Sequence, residues 1–391
     1  MVATGRPVID SDVHCATSIR ELYPYLSSHW PEYLDATNFK QPYSVNLTYP
    51  EHIGMVATPS HRSSLDGLRR EVLDRANAAI LRCYFGVESM QHPYLGPELA
   101  SAINRWLRDQ WLNQDERLLA SAVITPQFAS AAVDEIARIA EDPRFVEILL
   151  PARSAEGYGN QRYWPIWKAA AEKHLVLGIT FGGAAGIPPT PVNWMSSFFE
   201  EYATAVLNFQ TQMISLIMCG VFDQWPSLRV VISESGWTWL PGFMWRMDAE
   251  WKQYKREIPW LTAPPSSYVR RHFRFTVQPT DAPRSPDQLR QVLDQLGDDE
   301  FDAAQMLLYA SDYPHSYSGG IDKLLAVLPP DGTDRVMWSN AWEWYGQSGR
   351  SLPSLRSSGQ QKSGESKSAY PLSARAPRKR DRTNVPDIPG E

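Results

Sequence analysis

The chain has 391 residues, 43% of them hydrophobic and 21% charged. That apolar share supports a buried core and excludes global disorder, and no uninterrupted apolar run reaches the ~18 residues a membrane span needs. Net charge is −6 but uneven: residues 350–391 carry nine Lys/Arg against four Asp/Glu, so the body is more acidic than the total and a poor partner for nucleic acid. The opening residues Met1 to Pro7 lack an apolar signal-peptide core. Three cysteines, at 15, 83 and 219, are too few and odd in number for a disulfide framework, which points to a reducing, cytoplasmic setting.

Short apolar runs alternate with helix-like segments along the body. The runs are 7–12, 78–85, 118–125, 145–150, 175–181, 229–234, 273–278 and 306–311. Several are continuous rather than alternating, as in Phe145-Val146-Glu147-Ile148-Leu149-Leu150, which suits strands buried on both faces of a parallel sheet. Between them, Leu99, Ile103, Trp106, Leu107 and Trp111 share one helical face. Ser285, Pro286 and Gln288 read as an N-cap, a first helical position and a capping box, with Gly297 closing that helix. Longer helices are expected over about 196–222 and 240–257. Between the first two strands lies an insertion rich in aromatics (Tyr23, Tyr25, Trp30, Tyr33, Tyr43, Tyr49), which reads as a lid, a dimer contact or a structural cover.

Strands alternating with helices predict an α/β fold, a (β/α)8 TIM barrel over 1–346 with the insertion at 15–77. The tail, 347–391, is Ser-, Gly-, Pro-, Lys- and Arg-rich and reads as disordered. A doubly wound dinucleotide-binding sheet is the second choice. It needs a glycine-rich turn after the first strand, where this chain has Asp12-Val13-His14-Cys15-Ala16-Thr17.

In a barrel, chemistry sits at the C-terminal strand ends. Here those ends carry Asp10, Asp12 and His14, then Thr180, Glu234, Thr276 with Gln278, and Asp312 followed by His315. Carboxylates and imidazoles closing apolar runs are costly to bury unless paired or bound to metal. Asp12 and His14 alternate by two and so leave one face of their strand, as a divalent metal requires. Asp312, on the strand that neighbours the first in a closed barrel, is the candidate third ligand. Cys15 points off the opposite face. The bland alternative is a hydrogen-bonded polar layer sealing the barrel mouth.

The same residues resemble a known family. Asp10-Ser11-Asp12-Val13-His14 and Ser311-Asp312-Tyr313-Pro314-His315 are similar to the opening and closing motifs of the amidohydrolase-related metal-dependent hydrolases, a family that also holds nonoxidative decarboxylases of the aminocarboxymuconate semialdehyde type. The likeness extends through Asn104-Arg105-Trp106-Leu107, Trp225-Pro226-Ser227-Leu228 and Arg274-Phe275-Thr276-Val277-Gln278-Pro279, over roughly residues 6–346. It implies one divalent ion on the first-strand pair and Asp312. It also implies a strand-five histidine, but Thr180 stands in that place, and a hydroxyl is a weaker zinc ligand than imidazole. At strand six, decarboxylase members often carry His-x-Gly-Glu; here Glu234-Ser235-Gly236-Trp237 puts a carboxylate where that histidine stands.

The metal is therefore expected on Asp12, His14 and Asp312, as Mn²⁺ or Mg²⁺ rather than Zn²⁺, or lost altogether because of Thr180. Asp312, Glu234 and His315 are the candidate acid/base residues; Thr180, Trp237 and Gln278 are the candidate substrate contacts. The first functional reading is a metal-dependent hydrolase of a small cyclic or aromatic amide, ester or lactone. The alternatives are a nonoxidative decarboxylase of a cyclic or aromatic acid, and a barrel with a degraded metal site that does metal-free acid/base chemistry or only binds a ligand. A small molecule is the expected partner, with no nucleic acid and no membrane, in a homodimer.

Overall fold

The structure is a computed structural model that describes residues 6–42, 64–183, 187–188, 190, 192, 194–298, 301–315 and 321–346. The tail expected at 347–391, and Tyr43 and Tyr49 of the insertion, lie outside the described residues.

Eight strands form one parallel sheet in sequential order. They are β1 (Ile9–His14), β2 (Ala78–Arg82), β3 (Leu118–Val123), β4 (Phe145–Arg153), β5 (Val176–Gly183), β6 (Val230–Ile232), β7 (Phe273–Thr276) and β8 (Leu307–Leu308). The barrel closes where β1 meets the segment after β8. There Ser11 N donates to Tyr309 O at 2.9 Å, His14 N to Tyr313 O at 2.7 Å and Asp312 N to Asp12 O at 3.1 Å. The (β/α)8 barrel is thus the architecture, with each expected apolar run falling on a strand.

Two apolar layers hold it together. Outside, the strands pack on the helices through a large cluster that includes Leu81, Leu99, Ile103, Trp106, Ile148, Trp167 and Phe275. Inside the lower barrel, Ile9, Ile80, Leu119, Val146, Val176, Val231 and Leu308 meet Trp344 and Tyr345 of the helix Asn340–Gly346. Burying one such side chain contributes on the order of 1.5–3 kcal/mol, so these layers fix the frame that carries the polar strand ends.

The helix face predicted around Leu99 to Trp111 is buried, on Leu95–Leu107 and the turn that follows. The two longer stretches resolve into Phe198–Thr204, Val206–Met218 and Val221–Gln224, and into Leu240–Tyr254. Helix Pro286–Leu296 begins at Ser285, whose hydroxyl accepts from Asp287 N at 3.2 Å. That bond runs to the second helical residue rather than reciprocally with Gln288, and Gly297 leaves the helix extended (φ −82°) rather than left-handed.

The described part of the insertion is helical at Ile19–Leu22, His29–Ala36 and Leu65–Leu68. Ser18 and Glu21 form a capping box at its start. Ser27 N donates to Glu98 Oε1 at 2.9 Å, and Arg105 donates to Tyr25 O, so this part docks against helix Leu95–Leu107. Among the described residues no helix is long and apolar enough to cross a membrane.

Candidate active site

The C-terminal end of the barrel gathers four of the expected residues. Asp12, His14, Glu234 and Asp312 place ligand atoms within 4.8 Å of one another, and His14, Asp312 and His315 form an overlapping group. The local chain geometry explains why. Between Asp10 and Val13 the β1–β2 register shifts, so a bulge sets the phase that turns both Asp12 and His14 inward. Glu234 and Asp312 both adopt left-handed backbone, at φ 63° and 54°. For a non-glycine residue that conformation costs about 1–3 kcal/mol, and such strain clusters at functional sites. The backbone is pinned there: Glu234 N donates to Thr276 Oγ1 at 3.2 Å, and Asp312 N to Asp12 O.

His14 Nε2 is the centre of the group. It lies 2.9 Å from Asp312 Oδ1, 3.2 Å from Asp12 Oδ1 and 3.6 Å from Glu234 Oε1. His315 Nδ1 lies 3.0 Å from Asp312 Oδ1, and its ring meets that of His14 edge-on at 5.2 Å. Thr180 Oγ1 donates to Glu234 Oε1. Thr180 thus stands in the site, against Glu234.

The electrostatics follow from burial and these neighbours. Burial and then the Asp312 charge push the Glu234 carboxyl up to about 7. Burial would also raise Asp312, but hydrogen bonds from His14 and His315 outweigh it and hold that carboxyl well below its usual range. Asp12 ends lower too, because Arg82 and His14 overcome its burial. His14 is driven up, as Asp12 and Asp312 prevail over its desolvation. Asp10, one turn of the bulge away, is pushed by burial up to about 7 and accepts from Ser311 N at 2.9 Å.

The residues suit a hard divalent ion. Three carboxylates and one imidazole converge, and Asp12 Oδ2 is buried with no hydrogen-bond partner. A buried orphan carboxylate oxygen is costly unless a cation satisfies it. Asp12, His14 and Asp312 can hold the ion, with Glu234 in reach.

Trp237, expected as a substrate contact, sits differently. It is fully buried in the outer apolar cluster, and Cys15 packs in the same layer. Gln278 is nearly buried past the end of β7, where its carbonyl accepts from Thr276 Oγ1 at 3.3 Å.

Sequence reading missed the charges inside the barrel. Arg82 Nη1 lies 2.6 Å from Asp12 Oδ1, and its Nη2 lies 2.9 Å from Glu147 Oε1. Ser121 Oγ and Tyr345 Oη donate to Glu147 at 2.9 Å each. The available signal was a charged residue interrupting each of two apolar runs, since fully buried charges are almost always paired.

Comparison with known proteins agrees with this fold. The family profile described as "Amidohydrolase" matches residues 69–347. A gamma-resorcylate decarboxylase from a Rhizobium species is 25% identical over 190 residues, covering 45% of this chain and 54% of that protein. The chain thus aligns with about half the length of the curated relatives it matches. A dihydroxybenzoic acid decarboxylase from a Polaromonas species, solved with manganese and 2-nitroresorcinol, shares the fold at TM-score 0.62 and 18% identity, covering 90% of this chain and 100% of that one. The 5-carboxyvanillate decarboxylase of Sphingomonas paucimobilis matches at TM-score 0.62 and 20% identity, over 87% and 99% of the two chains.

Proposed function

The chain belongs to the amidohydrolase family, and on that footing we propose that it is a divalent-metal-dependent, nonoxidative decarboxylase of an aromatic carboxylic acid. The observation that carries the reading is the Asp12–His14–Glu234–Asp312 group at the barrel mouth. The relatives' activity supports the choice of reaction: those named above are decarboxylases of hydroxylated aromatic acids. The hydrolase reading, placed first on sequence alone, therefore ranks second.

Asp12, His14 and Asp312 would hold the ion, which would supply a Lewis acid to an arene carboxylate substrate. The reaction breaks the bond between ring carbon and carboxylate, releases CO2 and places one proton on the vacated carbon. Glu234 is the residue positioned to hold that proton. Thr180 donates to its Oε1, which leaves Oε2 as the proton-bearing atom. His315 hydrogen-bonds Asp312 and fixes its orientation. The pinned left-handed backbone at Glu234 and Asp312 keeps both carboxyls aimed at one space.

The test is CO2 release from ortho-hydroxylated arene carboxylates by manganese-loaded enzyme, run in D2O. The expected product carries one deuterium on the vacated ring carbon. Hydrolysis of an aromatic ester or lactone without CO2 release from any such acid overturns the proposal in favour of the hydrolase.

A further inference from the structure

Strand phase carries a second arginine to the barrel mouth. Glu147 faces the interior, where Arg82, Ser121 and Tyr345 hold it. Side chains alternate along a strand, so Leu149, Pro151 and Arg153 share its face. Pairing between β4 and β5 runs in step from Glu147↔Val176 to Pro151↔Thr180, and then Arg153 pairs with Gly183. The extra residue falls on β5, so the β4 phase is kept and Arg153 opens over the site, past Thr180.

Two glycines make room, Gly183 for Arg153 and Gly182 for Tyr84. Gly182 takes φ +143°, a conformation L side chains rarely adopt, and a Cβ there would come within 2.8 Å of Tyr84 Cζ. A Cβ on Gly183 would come within 2.2 Å of Arg153 Nε. Tyr84 Oη donates to Glu88 Oε1 at 2.5 Å and accepts from Gly183 N at 2.9 Å, while the residue as a whole remains 37% exposed. Arg153 Nη1 lies 3.4 Å from Glu201 Oε1, with the two side chains 14% and 13% exposed.

The two strand-end arginines differ in what they have left to offer. Arg82 is held on both sides, by Asp12 and Glu147. Among the described residues Arg153 makes one ion pair, at a longer distance, and its planar fork matches a carboxylate or phenolate. Strand phase sets it above a site whose own side chains are mostly carboxylates.

We propose that Arg153, framed by Tyr84 and Gly183, determines specificity by recognising a second acidic group on the aromatic ring, remote from the carboxylate that is lost. The inference rests on the decarboxylase reading and names its substrate class: arene carboxylates bearing a further carboxylate or phenolate.

The test uses the full-length, manganese-loaded protein with two probes, 2-hydroxybenzoate and its dicarboxylate counterpart 4-hydroxyisophthalate. Binding is followed by calorimetry and turnover by CO2 release. Arg153→Met is expected to weaken binding of the dicarboxylate by at least about tenfold and to leave the monocarboxylate within about twofold, the scale of one lost charge-assisted hydrogen bond. Arg153→Lys, which keeps the charge and loses the fork, is expected to fall between, and carries the same comparison if the methionine variant does not fold. Equal loss for both probes, or no loss for either, overturns the inference while the decarboxylase reading stands. A wild-type protein that binds neither probe overturns both.

Discussion

Arg82 Nη1 lies 2.6 Å from Asp12 Oδ1 with both side chains almost sealed from solvent. This pair links the barrel interior to the site. From Arg82 the contacts run down through Glu147 to Tyr345 on the floor helix, and up through Asp12 to His14, Asp312 and His315. Removing Arg82 strands two buried carboxylates at once. Arg82→Met is therefore expected to cost about 3–5 kcal/mol, the range for breaking a buried ion pair from one side. Arg82→Lys should recover only part of it, because an ammonium lacks the fork that reaches both carboxylates. Urea denaturation of wild type and both variants measures this, and a loss under about 1 kcal/mol in the methionine variant would show the pair to be dispensable.

Asp12 and Asp312 are expected to govern metal content. Asp12→Asn and Asp312→Asn should each strip most of the bound manganese, read by elemental analysis after dialysis. Thr180→His adds an imidazole beside Glu234, at the strand-five position, and should raise zinc retention more than manganese retention, since imidazole suits zinc and a hydroxyl does not. Unchanged zinc retention in that variant would mean that Thr180 does not weaken the site.

The fold was legible because barrel strands are buried on both faces and read as unbroken apolar runs. The runs overshoot at β6 and β8: the segments at 229–234 and 306–311 yield only Val230–Ile232 and Leu307–Leu308. The closing residues Glu234 and Asp312 leave the ladder for left-handed backbone, aimed at the site. A run of residue types carries no record of that turn. The Asp12–His14 alternation was readable because it is local. The Arg82–Glu147 pair was not, because its members lie on different strands and only the closed barrel brings them together. Arg153 escaped notice for a simpler reason: the apolar run of β4 ends at 150, whereas the strand continues to Arg153.

Glu234 should separate chemistry from metal binding. Glu234→Gln keeps the shape and the contact with Thr180 but cannot give up a proton. Loss of a general acid lowers turnover by about 10²–10⁴-fold. Manganese content should stay near the wild-type value, because Asp12, His14 and Asp312 remain. A variant that loses its metal along with its activity would reassign Glu234 from proton holder to ligand.

Stability should fall on the acid side through a group far from the site. His272 is 3% exposed, its Nδ1 donates to Leu228 O at 2.9 Å, and its ring stacks on Phe222 at 4.3 Å. Burial pushes the imidazole down to about 4, with nearby Arg271, Arg229 and Arg274 adding to the shift. In the unfolded chain a histidine takes up its proton near ~6.5. Between these values the unfolded chain binds a proton that the folded protein refuses. The stabilisation tied to neutral His272 is thus complete above ~6.5 and is lost as pH falls toward 4, by about 3 kcal/mol across the window. Other groups titrate there as well, so the informative quantity is the difference from His272→Gln, which keeps an amide donor and cannot ionise. The stability gap between wild type and variant, from urea denaturation at pH 7 and pH 4, should shift by about 2–3 kcal/mol in favour of the variant at the lower pH. Parallel pH profiles would mean that His272 accepts its proton in the folded protein as readily as in the unfolded one.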